Sequence, residues 1–365
     1  MAPQVDPVTS DTALPESTEI VVIGGGIIGV AATLTLAERG LPVVLCEKGH
    51  IAGEQSSRNW GWCRQQGRDP RELPLIIESL RLWHGMHQRT GSDVGFRQCG
   101  ILYLSNTAKG LADREAWLEH GRAHGVDSRM VSSKEVAELL PGSSQTWPGG
   151  LYTRTDGRAE PTIAAPAMAR AAQRRGAIIL TQTAVRGIET TAGAVSAVVT
   201  ENGPIRCNTV ILAGGAWSST FCRNLGVRIP MLMTIGSVFR TTPVTDAPER
   251  SVSGAGFAMR KRLDGGYSVS HGSISNFDIV PDSFRFFTDF LQVAWMARKI
   301  LRPTLTDRFI TEWQRRSSWS LDEASPFESI RTLDPKPIQS TMEKAKRNLA
   351  AAFPAFAGAE IVESW

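Results

Sequence analysis

The chain has 365 residues, 42% of them hydrophobic and 21% charged, with 40 Lys and Arg against 36 Asp and Glu. That balance suits a globular protein with room for two domains and a sizeable core. The basic residues are dispersed rather than gathered in a run, which argues against nucleic acid as a partner, and no stretch reaches the roughly 18 uninterrupted apolar residues that span a bilayer.

Residues 1–18, MAPQVDPVTSDTALPEST, are polar and rich in Pro, Ser and Thr. They lack the basic start and apolar core of a signal peptide and read as a disordered lead. The cysteines Cys46, Cys63, Cys99, Cys207 and Cys222 contain no CxxC spacing. They read as reduced thiols of a cytoplasmic protein.

Ile20 to Ile23 form a short β-branched run that suits a buried parallel strand. Gly24, Gly26 and Gly29 follow as G-x-G-x-x-G, and the apolar residues Ile27, Ile28, Ala31, Leu34 and Ala37 then recur at helical spacing up to a capping Gly40. A second strand, Pro42 to Cys46, ends at Glu47. Each part has a task in holding an ADP group. Gly24 permits the tight turn, Gly26 lets backbone approach a pyrophosphate, and Gly29 lets helix pack close to strand. The helix start offers free N–H groups and the positive dipole end, and Glu47 can accept from ribose hydroxyls.

The remaining chain discriminates between NAD and FAD. After Glu47 comes KGHIAGEQSSRNWGWCRQQGRD (48–69), rich in Gly, Ser and Arg and without periodicity. The βαβ pattern resumes only with the helix PTIAAPAMARAAQRRG (161–176) and the buried strand AIIL (177–180). A hairpin-like pair, TAVRGIET and AVSAVVT, precedes TVILAGGAWSSTF (209–221), a strand running into Gly214–Gly215, where backbone can again approach a ligand. An interrupted fold with a distant second glycine turn suits a long, extended cofactor. FAD fits that length, and NAD does not require it.

Residues 236–271 read as antiparallel strands around the turn Asp264-Gly265-Gly266, with Tyr267, Val269 and His271 on one face and Ser268 and Ser270 on the other. FRFFTDFLQVAWMARKILR (284–302) places Phe287, Phe290, Leu291, Ala294 and Leu301 at helical spacing before a basic end. It reads first as a core helix with a solvated end, and second as a helix able to touch the inner membrane from the cytoplasmic side. The pairs His84/His87 and His120/His124 share helical faces but lack acidic or cysteine partners at supporting spacing, so no metal site is expected.

The order GGGIIG, Glu47, SSRN, the Val185 strand and AGGAWS resembles the FAD-dependent oxidoreductases of the D-amino-acid oxidase superfamily. SSRNWGWCRQQGRD brings it near the D-amino-acid dehydrogenase-like and bacterial L-amino-acid oxidase-like branch. The resemblance runs from about residue 19 to 365. It implies an α/β fold in which a Rossmann-like FAD-binding domain (19–60 and 155–235) is interleaved with an antiparallel-sheet α+β substrate domain with helical insertions (61–154 and 236–365). It implies non-covalent FAD, since no cysteine follows Cys222.

The resemblance also implies site residues. Gly24, Gly26, Ile28 and Gly29 would hold the pyrophosphate region, Glu47 and Lys48 the adenosine side, and Ser56 and Ser57 the phosphate-to-ribityl stretch. Asn59 and Gly61 would lie by the flavin ring, Val185 at the adenine, and Ala213, Gly214, Gly215 and Trp217 along the cofactor's middle. The implied reaction is oxidative deamination of an amino acid, with hydride passing from the α-carbon to flavin N5 and a 2-oxo acid and ammonia released. The alternative is oxidation of a secondary or N-methyl amine. Arg64, Tyr267 and His271 are expected at the substrate, with Arg58, Arg260 and Arg262 as further carboxylate anchors. Dehydrogenase relatives pass electrons to a membrane quinone pool, which gives the 284–302 helix its second reading. The family pattern continues past Trp365 with a Gly-rich strand beside the ring and a last helix, so a truncated, catalytically incompetent remnant is a third expectation. Oligomeric state is not readable.

Overall fold

The computed structural model describes residues 3–365. Strand β1 (Ile20–Ile23), helix α1 (Ile27–Glu38) and strand β2 (Val43–Cys46) open a nucleotide unit. The chain then leaves it through α2 (Leu73–His84) and the strands β3 (Ile101–Ser105), β4 (Ser128–Ser132) and β5 (Gly149–Thr153). It returns with α3 (Pro161–Gln173), β6 (Ile178–Leu180) and an antiparallel meander of β7 (Val185–Thr191), β8 (Ala194–Thr200) and β9 (Gly203–Arg206). Strand β10 (Thr209–Leu212) and α4 (Ser218–Asn224) complete the unit.

The order β10-β1-β2-β6 makes a fully parallel sheet, with Ile23 opposite Cys46 on one side and Leu212 on the other. Its central strands β1 and β2 are buried on both faces, which is why they read as unbroken apolar runs. Alanine-rich α3 packs with α1 against one face, around Val22, Leu45, Ala165 and Met168. The other face packs around Val44, Trp217, Phe221 and Phe327.

The second half supplies β11 (Val238–Thr241), β12 (Ser251–Gly254), β13 (Phe257–Lys261) and β14 (Tyr267–Ser270). It continues with β15 (Ser275–Asp278), α5 (Phe287–Ala297), β16 (Leu301–Thr304), α6 (Arg308–Gln314), α7 (Gln339–Ala352) and β17 (Ile361–Ser364). An eight-stranded sheet runs β17-β11-β14-β13-β12-β3-β5-β4, and β15 pairs with β16 outside it. The predicted turn joins β13 to β14, with Gly265 at φ +82° and the Gly266 N–H donating to Asp264 Oδ1 at 3.0 Å. One face of this sheet is covered by α7 and its sequel, around Met259, Val269, Leu349 and Phe353. The terminal strand β17 forms the sheet edge beside β11.

Three expectations are corrected. Residues 3–18 are not a disordered lead: Asp11 exchanges hydrogen bonds with Ile179, Ser10 Oγ accepts from the Thr181 N–H, and Thr18 donates to Arg206 O. This segment pairs with the open edge of β6. The expected core helix at 284–302 is also overturned, since no residue of α5 is buried and Trp295 is 68% exposed. It belongs to an excursion, 275–317, whose strands β15 and β16 pair outside the eight-stranded sheet. Finally, two segments assigned to the substrate domain pack on the nucleotide unit: Met86 and Val94 join the α1–α3 core, and Trp319 and Phe327 join the core on the other face. Their apolar side chains fill gaps that the nucleotide unit's own helices leave open.

Candidate functional site

The cradle follows from steric limits at two glycines. Gly24 sits at φ +111°, and a Cβ there would lie 2.5 Å from the Ala213 carbonyl oxygen. A Cβ on Gly29 would meet the Gly24 oxygen at 1.8 Å, so α1 can approach β1 only with glycine at that position. Gly26 caps α1 with no side-chain hydrogen bond, and no acidic residue occupies the first turn. The N-terminal amides and the positive dipole end therefore stay available to an anion, apart from the Ile27 N–H, which donates to Ser56 Oγ at 2.8 Å. Ile28 at the rim is 70% exposed, unusual for an isoleucine beside a buried strand.

Glu47 ends β2 with its carboxylate accepting from the Gly25 N–H (2.6 Å) and the Gly49 N–H (2.7 Å). Burial pushes its carboxyl upward against those two hydrogen bonds and the Lys48 charge. Lys48 Nζ meets Glu54 at 2.7 Å, donates to the Ile330 and Arg331 carbonyls, and lies 4.6 Å from the Trp217 ring centroid. The Trp217 indole N–H donates to both Glu54 oxygens at 3.1 Å. Around these groups runs a groove of about 380 Å3, lined by Gly24, Gly26, Ile28, Glu47, Lys48, Ser56, Val185, Ala213, Gly214, Gly215 and Trp217. Gly29 and Ser57 do not line it: Gly29 packs into the strand turn, and buried Ser57 donates to Glu54 O.

Sequence reasoning missed Glu54 and the strap over the groove. Phe327 lines the groove, and the Leu333 N–H donates to Glu54 Oε1 at 2.8 Å. Arg331 grips Glu201 through two contacts of 2.5 Å, and Arg186 holds Glu328 through two of 3.0 Å. The Arg186 guanidinium draws the Glu328 carboxyl down to about 2. No local signal marks this strap, because its partners lie more than a hundred residues away in the chain.

A second cavity, about 280 Å3, shares Ile27, Ile28 and Ser56 with the groove and runs on past Asn59, Gly61, Trp62, Arg64, Arg68 and Trp83. The groove and this cavity adjoin at these three shared residues, a track of two neighbouring spaces. Arg64 donates to the Gln66 carbonyl at 2.5 Å and lies over the Tyr103 ring. Behind it, Gln65 and Gln66 donate their backbone N–H groups to buried Asp156, whose carboxyl is raised to about 6 by burial despite those bonds. The Trp62 indole N–H has no partner among the described residues.

The other anchor expectations fare differently. Tyr267 is corrected: it points to the α7 face of the sheet, with its hydroxyl on Pro248 O at 3.0 Å and its ring edge-on to Phe356. His271 lines neither the groove nor the second cavity. It lies just past β14, close to Gly256, and burial, then the Lys344 charge, lowers its pKa. Strand alternation sends Tyr267 and Val269 into the α7 core and gives Arg260 and Ser268 to the opposite face, which meets the nucleotide unit. There Arg260 forms a fully buried 2.6 Å ion pair with Glu160, directly below Gly61. Arg262 is engaged by Asp264, and Arg58 by Asp334 and the Leu333 carbonyl. Among the described residues no three His, Cys, Asp or Glu side chains gather at metal-binding distance.

These residues fit an extended dinucleotide: two glycines that admit no side chain, open helix-terminal amides, and a carboxylate at the end of β2. Comparison with known proteins agrees. The solved structure of L-amino acid deaminase from Proteus myxofaciens in complex with anthranilate is 33% identical, with a TM-score of 0.95 over 100% of this chain and 82% of that one. Mitochondrial sarcosine dehydrogenase of Mus musculus is 29% identical over 60% of this chain and 25% of its own length. Sarcosine oxidase subunit beta of Rhizobium meliloti (strain 1021) is 29% identical over 71% of this chain and 64% of its own. The chain thus spans about a quarter of the sarcosine dehydrogenase that it matches. The family model described as FAD dependent oxidoreductase matches residues 19–365, and the chain belongs to that DAO family.

Proposed function

We propose that this chain oxidises an α-amino acid with non-covalently bound FAD, yielding a 2-oxo acid and ammonia. The observation that carries the proposal is the adjacency of two spaces: the cradle groove shares Ile27, Ile28 and Ser56 with a cavity that has tryptophan walls and two arginines. Bound FAD supplies a two-electron acceptor, and the protein's own groups do the positioning. Gly24, Gly26 and the α1 start receive the pyrophosphate, while Gly29 lets α1 sit close to β1; Glu47 and Lys48 flank the adenosine side, and Val185 meets the adenine. Ser56, Asn59 and Gly61 lead toward the ring, and Ala213–Gly215 and Trp217 form the facing wall. Arg64 holds the substrate carboxylate with a planar two-donor fork, and Trp62 and Trp83 exclude water from the reacting carbon.

Flavin absorbance retained after incubation with FAD and desalting, and bleached anaerobically by an amino acid from a D- and L-panel, is the expected result. A protein that keeps no flavin, or keeps it unreduced by every amino acid and amine, overturns the proposal. Oxidation of a secondary or N-methyl amine is the second reading, favoured by the similarity to sarcosine dehydrogenase and sarcosine oxidase subunit beta. Adding sarcosine and N-methyl amino acids to the panel separates the two.

The excursion bears on the electron acceptor. Phe284, Phe287, Leu291, Trp295 and Trp313 stand exposed, with Arg298, Lys299 and Arg302 beside them. An apolar face edged by cations suits an anionic membrane surface, where quinone would be within reach. No helix among the described residues is long and apolar enough to cross a membrane.

A further inference from the structure

A third cavity, about 210 Å3, lies between the excursion and the nucleotide unit. Its wall toward the groove is Ala216, Trp217 and Met231, which line both spaces. Four arginines face it against three carboxylates. Arg223 and Arg285 share Asp282 at 3.3 and 2.8 Å, and Arg308 is met by Asp278 and Glu312 at 3.6 and 2.7 Å. Arg315 alone of the four has no carboxylate partner among the described residues, and it lies 5.4 Å from the Trp217 ring centroid.

Arg223 is short of acceptors as well, since its buried Nε has no hydrogen-bond partner among the described residues. Burial and the neighbouring Arg285 and Arg315 charges depress its pKa against the pull of Asp282. A cavity whose cations outnumber its anions, with an unpaired guanidinium braced on an aromatic face, is built to accept one small anion.

We infer that this cavity is a carboxylate site, separated from the cofactor groove by Trp217, in which Arg315 and Arg223 hold the carboxylate of a small organic acid. Its place beside the cofactor groove makes it a holding position for the amino acid arriving or the 2-oxo acid leaving. That choice of ligand rests on the proposed amine oxidation, whereas the cation excess does not. The site is distinct from the cavity at Arg64, which lies on the α1 and α3 side of the cradle.

Benzoate serves as an unreactive carboxylate probe and benzamide as its uncharged counterpart, both titrated calorimetrically into FAD-incubated protein. An Arg64→Met background removes the other carboxylate anchor. In that background benzoate should bind saturably and benzamide should not. Adding Arg315→Met or Arg223→Met should weaken benzoate by roughly tenfold or more, and Arg315→Lys by less. Arg316→Met should change nothing, since Arg316 lies outside the cavity, paired with Glu323. Unchanged melting temperatures for the Arg315 variants would confirm an intact fold.

Equal binding with Arg315 intact or replaced overturns the inference, as does no saturable benzoate binding in the Arg64→Met protein. Inorganic phosphate displacing benzoate at equal concentration overturns the assignment to carboxylates. Titration with an amino acid and with its 2-oxo acid then separates arriving from leaving ligand. The outcome is independent of the proposed reaction. A protein whose flavin no amino acid reduces can still lose benzoate with Arg315, and an active enzyme can still bind benzoate without it.

Discussion

The cradle and the excursion are both rich in apolar residues, yet they are built on opposite terms. In the cradle, apolar residues are buried on both sides of β1 and β2, and backbone contacts closer than a Cβ allows select glycine. In the excursion, α5 buries nothing, and ion pairs tie this region to the nucleotide unit: Asp282 to Arg223 and Asp289 to Arg228. The first region is determined by sterics, which admit no side chain at Gly24 or Gly29. The second is attached by partly buried ion pairs and by the buried side chains of Val280 and Phe286. An apolar helix can therefore mark a core in one place and an outward-facing surface in another, with nearly the same residue pattern.

The sharpest way to break the contrast is at Gly29. Gly29→Ala should destabilise the protein by about 3 kcal/mol or more and abolish flavin binding, because its Cβ has no space beside the Gly24 oxygen. Thermal melting and flavin titration read both effects. A variant that melts and binds like the wild type would show that the strand and helix can separate.

The buried pair below Gly61 comes next. Glu160→Gln leaves the Arg260 charge uncompensated in the interior and should cost about 3–5 kcal/mol, whereas the double variant with Arg260→Met should recover much of it. Chemical denaturation of the three variants measures the coupling.

Two titrations sharpen the picture of what surrounds the cradle. The Asp156 carboxyl is raised from 3.8 to about 6, so between those values the folded protein retains a proton that the unfolded chain has lost. Stability should fall as pH rises through that window and level off above about 6. Asp156→Asn should flatten this slope in melting curves. Glu328 behaves in the opposite sense: its contribution to the strap is present above 4.5 and is lost as pH falls through about 2. The protection of amides in residues 326–333, relative to their intrinsic exchange rates, should fall over that range, and Glu328→Gln should show the lower protection already at neutral pH.

The smallest effect on stability belongs to the excursion. Trp295→Ser should leave stability within about 0.5 kcal/mol of the wild type while weakening sedimentation with anionic vesicles. A large loss of stability would mean that this face is covered after all.

By itself, the sequence determined the parts whose cause is local. Glycine spacing, β-branched runs and a carboxylate at the end of the second strand specify β1, α1, β2 and Glu47, because turn geometry and helix packing act over a few residues. The turn at Asp264–Gly266 and the second glycine approach at Ala213–Gly215 were legible for the same reason. Which face of β14 meets the nucleotide unit was not: alternation separates Tyr267 from Ser268 but does not say which one turns toward the track. Only the tertiary structure assigned Tyr267 to the α7 core and Arg260 to Glu160. It alone brought the strap of Phe327, Arg331 and Leu333 to Glu54 and Lys48, and Arg315 to Trp217. Those contacts join residues nearly a hundred to almost three hundred positions apart, where local propensity carries no information and only the packing of the whole chain decides the neighbour.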